Sequence, residues 1–207
     1  MGLRSRLLEI PIIYETLQNG IFRPEGRDWL AADFIGAARG MTVLDVGCGT
    51  GDIVSRLHDA SYIGIDHNPR YIRTATERYG RRGKFTVLDV NDAAFKALGK
   101  FDRIMLIGVL HHLTDAECLR LLPRLREVLK PEGRLITIDP AVEPGQHPIA
   151  RLLARLDRGR FTRSAAGYRE LIKTSFVIEA EVVRHDLLRV PYTHAAYRAT
   201  PNQSSHH

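Results

Sequence analysis

From residue 40 onward, short apolar and β-branched runs alternate with stretches whose apolar positions recur every three or four residues. The short runs predict strands at Thr42–Val46, Tyr62–Asp66, Lys84–Leu88, Phe101–Ile107 and Arg134–Asp139. The longer periods predict helices near Gly51–Asp59, Pro69–Tyr79 and Asp115–Leu129. Near-continuously apolar strands separated by helices predict a parallel sheet covered on both faces. The Asp115–Leu129 helix is the best specified. Thr114 and Glu117 make a T-x-x-E capping box, and Cys118, Leu121, Leu122, Leu125, Val128 and Leu129 fall on one face. Pro123 lies inside this pattern and should bend or break the helix, and Lys130-Pro131-Glu132-Gly133 should end it in a turn.

The alternation stops after Asp139. A Pro/Gly loop, Ala141–Pro148, leads into an Arg-rich helical stretch and a second short helix near Ala165–Lys173. Two β-like runs follow, Phe176–Arg184 and Pro191–Ala199, joined by the short polar stretch His185–Arg189. So short a connection suits an antiparallel hairpin rather than another βαβ unit. With no internal repeat and no obvious linker, one domain is expected: a helical cover over 1–40, a core over 41–140, an Arg-rich cap over 141–174, a closing hairpin over 175–200 and a tail over 201–207.

Composition narrows the class. The chain has 207 residues, 44% hydrophobic and 26% charged, enough for one globular core. No apolar run approaches the roughly 20 residues of a membrane span. The first residues lack a secretory pattern, so a cytoplasmic location is expected. Cys48 and Cys118 share no metal-ligand spacing and read as reduced thiols; no metal site is expected. The net charge of +6 is uneven. Between Gln146 and Lys173, Arg151, Arg155, Arg158, Arg160, Arg163, Arg169 and Lys173 face only Asp157 and Glu170. That concentration suits a solvated helix face, an anionic small molecule, a lipid surface or nucleic acid.

Candidate chemistry begins at VLDVGCGTGD, Val43 to Asp52, where Gly47, Gly49 and Gly51 follow a strand and precede a helix. Such a turn presents backbone N–H groups and a positive helix end to a ligand. A dinucleotide fingerprint would need a third glycine at position 52, where Asp52 would instead repel a pyrophosphate. No Gly-Lys-Ser/Thr follows, which removes the P-loop. Asp45, two residues before the first glycine, suits a cationic ligand. Asp66 ends the second strand, about 20 residues beyond the glycines, where a carboxylate can accept from both hydroxyls of a ribose. Leu88-Asp89-Val90-Asn91 ends the third strand, and its carboxylate and adjacent N–H match the donor and acceptor edge of adenine.

Together, VLDVGCGTG, the Asp66 strand end, the LDV of strand three, FDRIMLIGVLHHL and LKPEGRLITID resemble the class I S-adenosylmethionine-dependent methyltransferases. The resemblance covers about residues 40–140, and more loosely the closing hairpin. It implies an α/β fold, Rossmann-like and doubly wound: a seven-stranded, mostly parallel sheet with an antiparallel last strand and helices on both faces. It implies S-adenosyl-L-methionine as cofactor and S-adenosyl-L-homocysteine as product. Gly47, Cys48, Gly49 and Gly51 would then surround the methionine portion, with Asp45 at its ammonium. Asp66 and His67 would meet the ribose, Asp89 and Val90 the adenine, and the backbone around Ile107 and Gly108 the sulfonium. Tyr14, in the N-terminal cover, is a candidate lid contact.

Methyl transfer is an in-line displacement, for which a protein supplies alignment and often a base for the acceptor's proton. By the same resemblance, His111 would be that base, Asp139 its orienter or a second base, and His112 the fallback. The Asn/Asp-Pro-Pro-aromatic motif of base N-methylating relatives is missing, since Gly108-Val109-Leu110-His111 stands there. The expected acceptor is therefore a small molecule, anionic, sugar-like or a natural product, rather than nucleic acid. Two alternatives stay open: an RNA or peripheral lipid surface engaged by the 146–173 segment, and a cofactor-binding module without catalysis. Monomer and homodimer are equally compatible with the sequence.

Overall fold

The computed structural model describes residues 22–156 and 159–202. Its strands are β1 (Thr42–Val46), β2 (Ser61–Asp66), β3 (Gly83–Val87), β4 (Phe101–Ile107), β5 (Leu129–Pro140), β6 (Phe176–Arg184) and β7 (His194–Pro201). Its α-helices are α1 (Pro24–Asp28), α2 (Pro69–Tyr79), α3 (Asp115–Val128), α4 (Pro148–Leu156) and α5 (Ala165–Lys173). The seven strands form one sheet in the order β3-β2-β1-β4-β5-β7-β6. Strands β1 to β5 pair in parallel, and β7 runs antiparallel to both β5 and β6.

Side chains alternate across each strand, so apolar strands feed two cores. In β4, Ile104 and Leu106 enter one and Met105 the other; in β1, Leu44 and Val46 oppose Val43 in the same way. Helices α3 and α5 cover the first face with Cys118, Leu121, Leu122, Leu125, Tyr168 and Ile172. The second face is covered by a π-helical stretch, Trp29–Ile35, through Leu30, Phe34 and Ile35. Arg103, buried on β4, fastens that stretch to the sheet by donating from Nε to the Ile35 carbonyl at 3.0 Å.

Several expectations hold at the residue level, and α2 and α5 start and stop where the pattern places them. Others are corrected. The Gly51–Asp59 helix is only a 3₁₀ turn, Asp52–Arg56. Ile53, Val54 and Ser55 are poor helix formers, and Gly51 offers no capping side chain at its start. Pro123 does not break α3. It is exposed, as is Leu119 one turn earlier, so the carbonyl that loses its donor lies on the wet face. Lys130–Gly133 does not separate helix from strand but is absorbed into β5, which runs from Leu129 to Arg134 while β4 runs only from Phe101 to Arg103. This insertion is a bulge at the strand's entry. β7 begins at His194 rather than Pro191, because Pro191 has no N–H to give a ladder.

The helix that follows the candidate base is set by its cap. Thr114 Oγ1 accepts the Glu117 N–H at 3.3 Å, and Glu117 Oε2 accepts the Thr114 N–H at 2.8 Å. Thr114→Ala should therefore cost about 1 kcal/mol of folding free energy, read as a lowered urea midpoint, and Thr114→Ser should restore most of it.

Candidate functional site

The predicted site residues gather at the carboxyl ends of β1, β2, β3 and β4, which are neighbours in the sheet. Between β1 and β4 the strand order reverses direction, which opens a crevice in doubly wound sheets. The turn after β1 is shaped by what surrounds it. Gly47, Gly49 and Gly51 all have positive φ, at 74°, 54° and 78°. A Cβ on Gly47 would lie 2.8 Å from Val109 Cγ2, and one on Gly51 would lie 2.6 Å from Phe85 Cε1. Glycine is thus required twice over, by backbone conformation and by close approach. The Ile65 carbonyl accepts both the Gly47 and Cys48 N–H groups, at 2.8 and 3.0 Å.

Asp66 continues this clasp. Its Oδ2 accepts the Gly49 N–H at 3.0 Å and its Oδ1 the Asn68 N–H at 2.8 Å, so the carboxylate is nearly buried and rigidly aimed. His67 beside it is exposed, with Nδ1 at 3.5 Å from Asp66 Oδ1. Asp89 stands on an exposed turn, where Oδ1 accepts the Asn91 N–H at 2.7 Å. That turn is tied down by Arg124 of α3, which donates to the carbonyls of Val90 and Asn91. Ile107 is half-buried, and Gly108 turns the chain out of β4 at a φ of 68°. Tyr14 lies outside the described residues.

Asp45 is the most constrained acid. It is 2% exposed, and Oδ2 accepts the Tyr62 hydroxyl at 2.6 Å. Its Oδ1 is buried with no hydrogen-bond partner among the described residues. Burial pushes the carboxyl up to about 7; the Tyr62 hydrogen bond opposes the rise and the Asp66 charge adds to it. Burial, followed by the charges of Asp45 and Asp66, also pushes the Cys48 thiol far up, which keeps it protonated and unreactive.

One strand over, the two residues expected to act together do meet. His111 Nδ1 lies 2.8 Å from Asp139 Oδ1, and the same oxygen accepts the His111 backbone N–H at 3.1 Å. Both residues are buried, and Asp139 Oδ2 has no hydrogen-bond partner among the described residues. The imidazole is held edge-on. A Cβ on Gly108 would lie 3.6 Å from His111 Cε1, whereas one on Gly159 would overlap Cδ2 at 1.8 Å. His112 is exposed, its ring 4.0 Å from that of His111.

Sequence reasoning missed Tyr62, Arg124 and Gly159, each of which acts across the fold on a residue it did find. It also overstated the free charge of the cap. Arg163 is largely consumed by the His111 turn, donating to the Leu110 and Leu113 carbonyls and to Asp115 at 2.9, 2.7 and 2.6 Å. Arg169 makes a bidentate pair with Glu181, and Lys173 pairs with Glu170. Arg151 and Arg160 are exposed, and the side chains of Arg155 and Arg158 lie outside the described ones.

Residues 43–133 match a family model described as a methyltransferase domain. An O-methyltransferase of Penicillium expansum, cnsE, is 33% identical over 126 residues, which are 57% of this chain and 44% of the relative. The chain superposes on human N-acetylserotonin methyltransferase, solved in complex with S-adenosylmethionine, with a TM-score of 0.67 at 20% identity. That match covers 87% of this chain and 52% of the human one. Over residues 43–133 the chain is similar to methyltransferase domains, and its fold is the one these methyltransferases share. A second solved structure, of mitomycin 7-O-methyltransferase, superposes with a TM-score of 0.68 at 21% identity, over 86% of this chain and 53% of the other. The chain thus spans about half the length of those relatives. Among its described residues no helix is long and apolar enough to cross a membrane.

The raised Asp45 carboxyl has a measurable consequence for the folded chain. The folded chain retains a proton on Asp45 that the unfolded chain releases near its ordinary carboxylate value, so this group makes stability fall as pH rises from about 4 to about 7. Asp45→Asn removes that contribution. Its stability relative to the parent, from urea unfolding at pH 5 and pH 8, should improve toward the higher pH.

Proposed function

We propose that this chain is an O-methyltransferase of a small, hydroxyl-bearing, anionic acceptor, and that it works in the cytoplasm. The observation that carries the proposal is the buried His111–Asp139 pair, whose imidazole edge faces Gly108 at the rim of the glycine turn. The residues present fit S-adenosylmethionine. Asp45 Oδ1 is a buried acceptor without a donor among the described residues, and an ammonium would supply one. The turn of Gly47, Cys48, Gly49 and Gly51 would line the methionine portion. Asp66, with His67 beside it, would accept the ribose hydroxyls, Asp89 and Val90 would take adenine, and Ile107 and Gly108 would border the sulfonium. The cofactor supplies an activated methyl group.

The chain's own contribution is placement and proton transfer. Asp139 accepts from His111 Nδ1, which fixes the tautomer that leaves the lone pair on Nε2. An acceptor hydroxyl that gives its proton to Nε2 becomes a stronger nucleophile, and the developing imidazolium is stabilised by Asp139. Gly159 packs against the Cδ2–Nε2 edge of the ring and Arg163 braces the turn that carries it, which together limit the ring's orientation. His112, exposed beside the ring, is a poorer base candidate because it is solvated where His111 is buried. Similarity to an O-methyltransferase of Penicillium expansum supports oxygen as the methylated atom.

Two measurements test the proposal. Calorimetry with S-adenosylhomocysteine should show 1:1 binding, weakened by about 1–3 kcal/mol in Asp66→Ala, where charge-assisted hydrogen bonds are lost; unchanged affinity would remove Asp66 from the ribose site. With an acceptor found by screening hydroxylated acids, His111→Ala should lower kcat by about 10²–10⁴-fold. Asp139→Asn should lower it by less while keeping S-adenosylhomocysteine affinity, and parental turnover in both variants would end the base assignment.

A further inference from the structure

A cleft of ≈ 430 Å³ lies between the β5–α4 and β6–β7 connections. That volume is typical of small-molecule sites. Its inner wall includes Thr193, whose carbonyl accepts the Ala141 N–H at 2.9 Å, two residues beyond Asp139. The cleft therefore opens from the same strand end that carries the candidate orienter. Ala150 of α4 lines it, and the segment after α4 returns to the imidazole at Gly159.

Two features of its wall point to an oxyanion. Gln146 is 8% exposed, and its Oε1 accepts the Glu143 N–H, which identifies Nε2 as the donor end. That Nε2 is buried with no hydrogen-bond partner among the described residues. A buried amide donor left unpaired is costly, and an acceptor atom from a ligand would satisfy it. The second feature is charge. Arg23 and Arg189 line the same cleft, and the one carboxylate there, Asp186, is already held by Arg184 through hydrogen bonds of 2.7 and 2.8 Å. Arg23 donates from Nε to the Leu188 carbonyl at 3.1 Å, which holds its side chain at the rim. Arg189 makes no ion pair among those described, so the rim keeps a positive surplus.

We infer that this cleft is the acceptor site, and that it takes a molecule whose carboxylate or phosphate accepts from Gln146 Nε2 and faces Arg189 and Arg23. The inference rests on the proposed methyltransferase reading and adds to it where the acceptor binds and what it must carry. It also relocates the anion-binding charge. The Arg-rich cap spends Arg163, Arg169 and Lys173 on internal partners, while the two arginines at the cleft come from the chain before α1 and from the β6–β7 connection.

The test uses the full chain saturated with S-adenosylhomocysteine, titrated calorimetrically with matched probes. 4-Hydroxycinnamate is compared with its methyl ester, and phenyl phosphate with phenol, which separates a carboxylate preference from a phosphate one. At least one anion should bind about tenfold or more tightly than its neutral partner, a gap that narrows with added salt. Arg189→Gln and Gln146→Met should each reduce the ratio at least about threefold, and Arg120→Gln, on the exposed face of α3, should leave it intact. Equal affinity of anion and neutral partner, no binding of either anion, or a ratio that survives both cleft substitutions overturns the inference. Methyl transfer from S-adenosylmethionine to 4-hydroxycinnamate is then measured separately. Tight anion binding with no transfer to any hydroxylated acid tried would leave the cleft standing and count against the catalytic reading alone.

Discussion

Three backbone N–H groups at the end of β1 are taken by the end of β2: two by the Ile65 carbonyl and one by the Asp66 carboxylate. This clasp holds a loop of left-handed glycines that would otherwise sample many conformations. Everything downstream leans on it. With the loop fixed, the space left by the missing side chain of Gly47 is filled by Val109, which sets how the chain leaves β4. That exit places the 3₁₀ turn of Leu110–His112, and the turn is pinned at its far side by Asp139 from β5. Four strand ends are thus linked by contacts that each assume the one before.

Along this edge three carboxylates are buried, and the protein handles them in three ways. Asp66 is met by backbone N–H groups and Asp139 by an imidazole and an N–H. Among the described residues Asp45 receives only the Tyr62 hydroxyl, and burial raises its proton affinity. One neutral donor offsets only part of the desolvation penalty of a carboxylate. Buried acids at these strand ends favour a cation over a phosphate, in keeping with the exclusion of dinucleotides that Asp52 already implied.

Most of the framework could be read from residue order because it is written locally. α2 and α5 carry their periodicity and caps within about a dozen residues, and β4 contains the apolar run Ile104–Ile107. The glycines and the acids at 45, 66 and 89 stand at strand ends, where the connection itself says which edge they occupy. What escaped notice is long-range. Nothing near Gly159 announces that its backbone packs on an imidazole forty-eight residues earlier. Tyr62 looks like any apolar strand residue until the register of β1 with β2 turns its hydroxyl to Asp45. The Arg-rich cap misled for a related reason: a count of charges cannot tell a guanidinium braced against carbonyls from one facing solvent. Pro123 was tolerated because the effect of a proline depends on whether its helix face is wet.

The position of β7 has a consequence for how such a chain is made. β5 finds its second neighbour only in residues 194–199, so the register from Leu135↔Ala199 to Pro140↔His194 joins segments about sixty residues apart. As the polypeptide emerges, α4, α5 and β6 are complete while the middle of the sheet still shows an unpaired edge of Leu135, Ile136 and Ile138. Such an edge is sticky, and non-local pairing of this kind is slow. The strand that Asp139 belongs to is therefore among the last to be sealed, and a nascent chain spends its most aggregation-prone interval with the strand that carries Asp139 still open on one edge.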